Sequence, residues 1–319
     1  MTSGIIGLLL IEGAARWLYE RPWYDHLASE QAAAETMEYQ LNSFGLRGAE
    51  FVRPKPDGVR RVYMAGDSFT FGMGVADGSA VMPALVQEKL SRKEDPVEVL
   101  NGGMLRGSLP RHWRQKWHQI RDPFDPDVVL IVFFLRDGTN TGSIPAFFNA
   151  IRSEITDRNL ADLLYQSSYL FRLYRDRKDR DLVANRYTHA FRQAYFGSDK
   201  EQAEWHSAQY NVLEIQKEAT ARGARVGFVI YPILFNLVEG EYPFQDICDL
   251  LEAFAAKHGI PTLNLLPSFY GERGPDLWVS AVDQHPNEKG HRIAAQAVAP
   301  FVQELLNDGE SESLATGSP

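Results

Sequence analysis

Ser68 closes the run "VYMAGDS", where an apolar stretch stops at Gly66 and is followed by an acid and a hydroxyl. A serine hydroxyl becomes a nucleophile only when a base takes its proton, and histidine is the usual base near neutral pH. Of the eight histidines, His285 stands in a Pro/Asn loop ahead of a helix-patterned stretch, with an acid, Asp283, two positions earlier. Residues two apart in an extended segment project to one face, so Asp283 can orient the His285 ring. The chemistry this set would do is attack of Ser68 on a carbonyl carbon. The same residues fit a plainer account, since a Ser after Gly-Asp often caps a helix and Asp-x-His-Pro-Asn can be turn chemistry. Spacing alone divides evenly between the two.

To meet, these residues need elements that carry them. Apolar runs at 59–66, 97–104, 126–137, 224–233 and 261–269 are rich in Val, Ile, Leu and Phe without strict alternation. Strands buried on both faces of a parallel sheet read this way. Between them lie helix-patterned pieces at 82–90, 112–120, 201–221, 244–258 and 287–305. Alternation of strand and helix predicts a five-stranded parallel sheet with helices on both sides. The rhythm breaks once, at about 138–199, which reads as a helical insertion after the third strand and contains "IPAFFNAIRSEI" and "DLLYQSSYLFRLY". In such sheets ligands bind at the C-terminal strand ends. Those ends hold Gly66-Asp67-Ser68, "NGGMLRG" and "FFLRDGTN", and the region after the fifth holds "VDQHPNEKGH".

"GDSFTFG", "NGG", "FFLRDGTN" and "DQHPNEKGH", in this order, resemble the SGNH/GDSL hydrolase family, and the likeness extends upstream to "LNSFGLRGAEF" at 41–51. The resemblance implies a flavodoxin-like three-layer α/β/α sandwich and a serine esterase that needs no cofactor or metal. It makes Ser68 the nucleophile, His285 the base and Asp283 its orienter. The middle blocks depart from the family pattern. Arg106 stands where the family has its oxyanion glycine, with Gly107 next to it, and Arg136 replaces the third-block asparagine, directly before Asp137. A backbone N–H at 106 or 107 still donates, and a guanidinium is a donor-only cation. Arg136 therefore has three readings: it donates to the oxyanion, binds an anionic group of the substrate, or partners Asp137 while Asn140 donates. The substrate expected is a small-molecule or saccharide O-acyl ester. The alternatives are an O-acyltransferase acting on a polysaccharide and a binding protein on a hydrolase fold.

The net charge of −9 disfavours a nucleic-acid partner, since phosphate-backbone binding rests on clustered Lys and Arg, and none is expected. "RLYRDRKDR", from Arg172 to Arg180, alternates basic and acidic residues and reads as a solvated helix face. The lone Cys248 excludes an intramolecular disulfide. Histidine pairs six apart, His112 with His118 and His285 with His291, lack the i, i+4 spacing of a zinc helix. His291 reads as packing or capping near the site, and the aromatic residues of the insertion, Phe147, Phe148, Tyr165, Tyr169, Phe171 and Tyr174, as helix core.

Residues 1–50 read as a helical and extended N-terminal segment, 51–306 as the hydrolase domain, and 307–319, polar and acidic, as a disordered tail. The uncharged run from Gly4 to Ile11 is far short of the ~20 residues that span a bilayer. It fits a helix packed on the domain, or else the stub of a membrane anchor or an interfacial helix with weak membrane association. An extracytoplasmic or membrane-associated setting of bacterial type is favoured over the cytoplasm.

Overall fold

In the computed structural model, residues 2–19, 37–105, 109–141, 160–280 and 283–316 are described. The five apolar runs form β1 (Arg60–Gly66), β2 (Val97–Gly103), β3 (Val128–Phe134), β4 (Arg225–Tyr231) and β5 (Thr262–Asn264). All pair in parallel, in the order β2-β1-β3-β4-β5. β3, "VVLIVFF", is central and buried along its whole length. That is why its sequence has no polar face. β5 is shorter than its apolar run: Leu266–Phe269 turns into a helical segment with Pro267 in its first turn.

The helices, in chain order, are α1 (Thr2–Leu18), α2 (Ser68–Phe71), α3 (Met82–Leu90), α4 (Pro110–Phe124), α5 (Leu160–Ser167), α6 (Tyr169–Phe196), α7 (Ala203–Thr220), α8 (Gln245–Lys257), α9 (Leu266–Phe269), α10 (Gly274–Leu277) and α11 (Glu288–Thr316). α3 packs against α11 on one face of the sheet, and α4 packs against α7 on the other. This is the flavodoxin-like three-layer sandwich. Its chain direction across the sheet reverses between β1 and β3, so the crevice for a ligand opens beyond the ends of those two strands.

The insertion after β3 contributes α5 and α6, divided at Ser168, whose hydroxyl accepts from the Phe171 N–H and caps α6. "IPAFFNAIRSEI", with Phe147 and Phe148, lies outside the described residues. The core-facing aromatic residues of α6 are instead Tyr187, Phe191 and Tyr195, while Tyr165, Tyr169 and Phe171 are half-buried. Tyr174 corrects the core expectation, since it is exposed. The C-terminal stretch also departs from the expected disordered tail, because α11 continues to Thr316. Leu305 and Leu306 are buried at the point where the tail was expected to begin, and no proline falls between them and Thr316.

Candidate active site

β1 ends at Gly66 because the chain must turn there at close quarters. A Cβ on Gly66 would stand 2.1 Å from Thr70 Oγ1 and 2.9 Å from the Val132 carbonyl oxygen. The Asp67 side chain accepts from the Phe69 N–H at 2.9 Å and so caps α2, which starts at Ser68. The cap reading of Gly-Asp-Ser thus holds, with Asp67 rather than Ser68 as the capping residue. Ser68 is left at the first helical position, where its N–H has no intrahelical acceptor. β2 brings Gly103 under the same turn: a Cβ there would meet the Phe71 nitrogen at 2.1 Å. "NGG" is therefore the seat of α2, with Asn101 donating to the Phe71 carbonyl at 3.3 Å.

The loop before α11 carries the other two residues. Val279 N–H donates to the His285 carbonyl at 2.9 Å and Ser280 N–H to the Asp283 carbonyl at 3.1 Å, closing a tight turn. Within it, Asp283 Oδ1 accepts from the His285 backbone N–H at 3.1 Å and lies 2.5 Å from the His285 Nδ1. The alignment expected from an extended pair is therefore achieved by a turn in which one carboxylate oxygen takes both groups. The His285 Nε2 is 2.8 Å from Ser68 Oγ. With Nδ1–H donating to Asp283, Nε2 is left as an acceptor for the serine proton. The competing acceptor, Asp67 Oδ2, is farther from that hydroxyl, at 3.5 Å. Burial pushes the Asp283 carboxyl up, but the hydrogen bonds and charge of His285 outweigh it and hold Asp283 below the usual carboxylate range. It stays an anion that can balance an imidazolium.

Beneath these groups Phe69 stacks on Phe134, with ring centroids 3.8 Å apart, and lies 5.3 Å from both the Tyr231 and His285 rings. The aromatic floor encloses two acids, Asp67 and Asp137, both almost fully buried. Burial pushes Asp67 up, against the opposing pull of Arg136, the Phe69 N–H and His285. Asp137 is pushed well up by burial and by the charge of Asp67, although Arg136 and the Phe134 N–H pull it down.

Arg136 follows β3 in a short 3-10 turn, Leu135–Gly138, half-buried, its guanidinium carbon 5.7 Å from the Phe134 ring centroid. Among the described residues no carboxylate lies within ion-pair distance of it. Asp137 points elsewhere, accepting from the Phe134 N–H at 2.7 Å. The charge of Arg136 thus acts on Asp137 without an ion pair between them. Asn140 is exposed. Arg106 and Gly107 lie outside the described residues.

Two contributors carried no assigned role in the sequence. Arg47, from the upstream "LNSFGLRG", is buried and donates to the carbonyls of Phe71 at 3.1 Å, Gly72 at 2.6 Å and Val75 at 2.5 Å. Tyr39 takes the Gly74 N–H at 2.9 Å. Together they tie down the loop that leaves α2. Gly74 in turn faces Val279, whose N–H holds the His285 carbonyl, so the clamp on the serine side reaches the histidine side. The family likeness of "LNSFGLRGAEF" marks the segment but assigns Arg47 no role. His291 is buried on α11 and accepts the Met82 N–H at 3.2 Å, which caps α3. Burial lowers its pKa to about 3, so it stays neutral. His112 accepts the Leu109 N–H and His118 pairs with Glu218, both away from the serine. Among the described residues no cluster of three or more His, Cys, Asp or Glu is placed to hold a metal ion.

No curated protein matches the sequence. Among solved structures the chain is similar to a G-D-S-L family lipolytic protein from Desulfitobacterium hafniense, with 12% identity over 75% of this chain and 98% of that one and a TM-score of 0.42. It is also similar to a lipase/acylhydrolase from Enterococcus faecalis, with 15% identity, 77% and 96% coverage and a TM-score of 0.42. A third is the psychrotrophic esterase EstA from Pseudoalteromonas sp., with 13% identity, 78% and 99% coverage and a TM-score of 0.45. Likenesses this distant add no weight of their own. The family model does, because it spans residues 64–293, from within β1 through Ser68 and His285 into α11: the chain belongs to the GDSL-like lipase/acylhydrolase family.

Proposed function

We infer that the protein hydrolyses an O-acyl ester of a small molecule or saccharide through an acyl-enzyme on Ser68. The observation that carries this reading is the continuous line from Asp283 through His285 to Ser68, 2.5 Å and then 2.8 Å. His285 Nε2 takes the Ser68 proton as Oγ bonds to the ester carbonyl carbon. Negative charge develops on the carbonyl oxygen, for which the Ser68 N–H at the start of α2 is one donor and Arg136 another; Arg106 and Gly107 are the further candidates from the sequence. The C–O bond to the alcohol breaks as His285 returns the proton to the departing oxygen. In the second half the water oxygen bonds to the acyl carbon as His285 takes its proton, the acyl–Oγ bond breaks as His285 returns that proton to Ser68 Oγ, and the carboxylic acid leaves. Asp283, held ionised, stabilises the imidazolium in both halves.

A panel of acyl esters differing in chain length and charge, assayed with wild type and Ser68→Ala, tests the reading. At least one ester should be cleaved, with a loss on the order of 10⁴-fold or more in Ser68→Ala. Retention of hydrolysis in the variant would overturn it. Including saccharide acceptors in the assay measures how the acyl group divides between water and sugar.

A further inference from the structure

α1 carries an exposed apolar face opposite the face that the protein covers. Its inner face is fixed by specific contacts. Glu12 accepts from the Ser168 hydroxyl at 2.8 Å, from the Leu170 N–H at 3.2 Å and from the Tyr169 N–H, so it completes the N-terminal cap of α6. Ala15 is buried, and Tyr19 donates to Asp176 at 3.2 Å. Glu12, Ala15 and Tyr19 follow one another at i, i+3 and i+7, which marks a single face of the helix. Leu10, Ala14 and Trp17 mark the opposite face. There Leu10 is 69% and Trp17 86% exposed, with Leu9 and Leu18 beside them at 66% and 60%. The two charged residues of α1, Glu12 and Arg16, are both taken up at the α6 side, Arg16 over the Tyr169 ring.

The supporting element adds to the same character. Leu163 on α5 and Leu170 on α6 are exposed, and Leu170, Tyr174 and Lys178 form one exposed stripe at i, i+4 and i+8. Residues 172–186 carry six Arg or Lys against three Asp, in a chain whose net charge is −9. Net positive charge on α6, the helix that α1 packs against, together with an uncovered Leu/Trp face matches an anionic bilayer surface: leucines enter the acyl boundary, Trp settles at headgroup depth, and the exposed Arg177 and Lys178 meet the phosphates. Among the described residues no helix is long and apolar enough to cross a membrane.

We propose that α1, packed against α6, docks the protein on anionic lipid surfaces through Leu9, Leu10, Trp17 and Leu18. This inference is independent of the ester chemistry. The test is sedimentation of the full chain with phosphatidylglycerol/phosphatidylcholine vesicles and with pure phosphatidylcholine vesicles, for wild type and Leu10→Glu/Trp17→Glu. Wild type should partition at least tenfold more strongly to the anionic vesicles, less so at high salt, and the double variant should lose at least tenfold. Far-UV circular dichroism and the melting temperature of the double variant check that the fold is kept. Brominated acyl chains should quench wild type more than Trp17→Phe, a variant that keeps the apolar face. Absence of vesicle binding, binding unchanged by the double variant, equal quenching, or a wild-type dimer that the double variant dissolves would each overturn the proposal.

Discussion

At the scale of single residues, the site sets two arginines against three acids, and position decides what each does. Asp283 and Asp67 flank the same serine, yet only Asp283 reaches the histidine. Arg136 is half-buried at the end of β3 with no ion pair among the described residues, which suits a guanidinium kept for an incoming group. Arg136→Ala is expected to lower kcat/KM, and to lower it more for esters with an anionic acyl or alcohol part than for neutral ones. A pure oxyanion role would cost about 2.7–4 kcal/mol on every ester alike. Steady-state kinetics on matched charged and neutral esters separate the two, and unchanged kinetics on both would remove Arg136 from the site.

At the scale of elements, the nucleophile is placed by close backbone contacts and one buried cation. In Gly103→Ala the new Cβ meets the Phe71 backbone, which cannot swing aside as a side chain would. The expected cost is about 1–3 kcal/mol, with activity falling further than stability because α2 itself is displaced. Arg47→Lys keeps the charge but cannot reach the spread of carbonyls that the guanidinium fork holds. It should lose at least about 1.5–3 kcal/mol, the worth of one charge-assisted hydrogen bond, measurable by urea denaturation. These contacts also explain what was legible beforehand. The strands β1 to β4 announce themselves because burial on both faces leaves largely apolar runs, and Ser68 stands at the end of one of them, while Asp283 and His285 stand in the loop ahead of α11. The clamp by Arg47 was not legible, because a buried arginine whose partners are backbone carbonyls leaves no complementary residue type to find. The turn that aligns Asp283 with His285 was equally hidden, since a spacing of two is shared by strands and by Asx-type turns. α11 outran its expected end for a related reason: composition marks a polar stretch, but not whether a helix already anchored by Leu305 and Leu306 continues through it.

At the scale of the whole molecule, the buried acids couple folding to pH. Asp137, with its pKa well above the ordinary range, keeps its proton in the folded chain after the unfolded chain has released it. In that interval the folded state binds more protons, so stability falls as pH rises from the ordinary carboxylate range through the raised value, and is level above it. Asp283 works the other way: its stabilisation is present above the ordinary range and is lost as pH falls through its lowered value. Asp137→Asn keeps an oxygen for the Phe134 N–H and removes the ionisation, so thermal melts of the variant should show a smaller decline over the first interval than wild type. Equal declines would contradict the assignment. The same buried acids lie next to the serine, so the fold carries an electrostatic cost where it positions the nucleophile.

The central claim is that Ser68 forms the covalent intermediate. Intact-mass spectrometry after brief exposure to a fluorophosphonate, followed by peptide mapping, tests it most directly. The account predicts one adduct per chain, on the peptide containing Ser68 and absent from Ser68→Ala. No adduct at high reagent concentration, or an adduct that persists in Ser68→Ala, would contradict it.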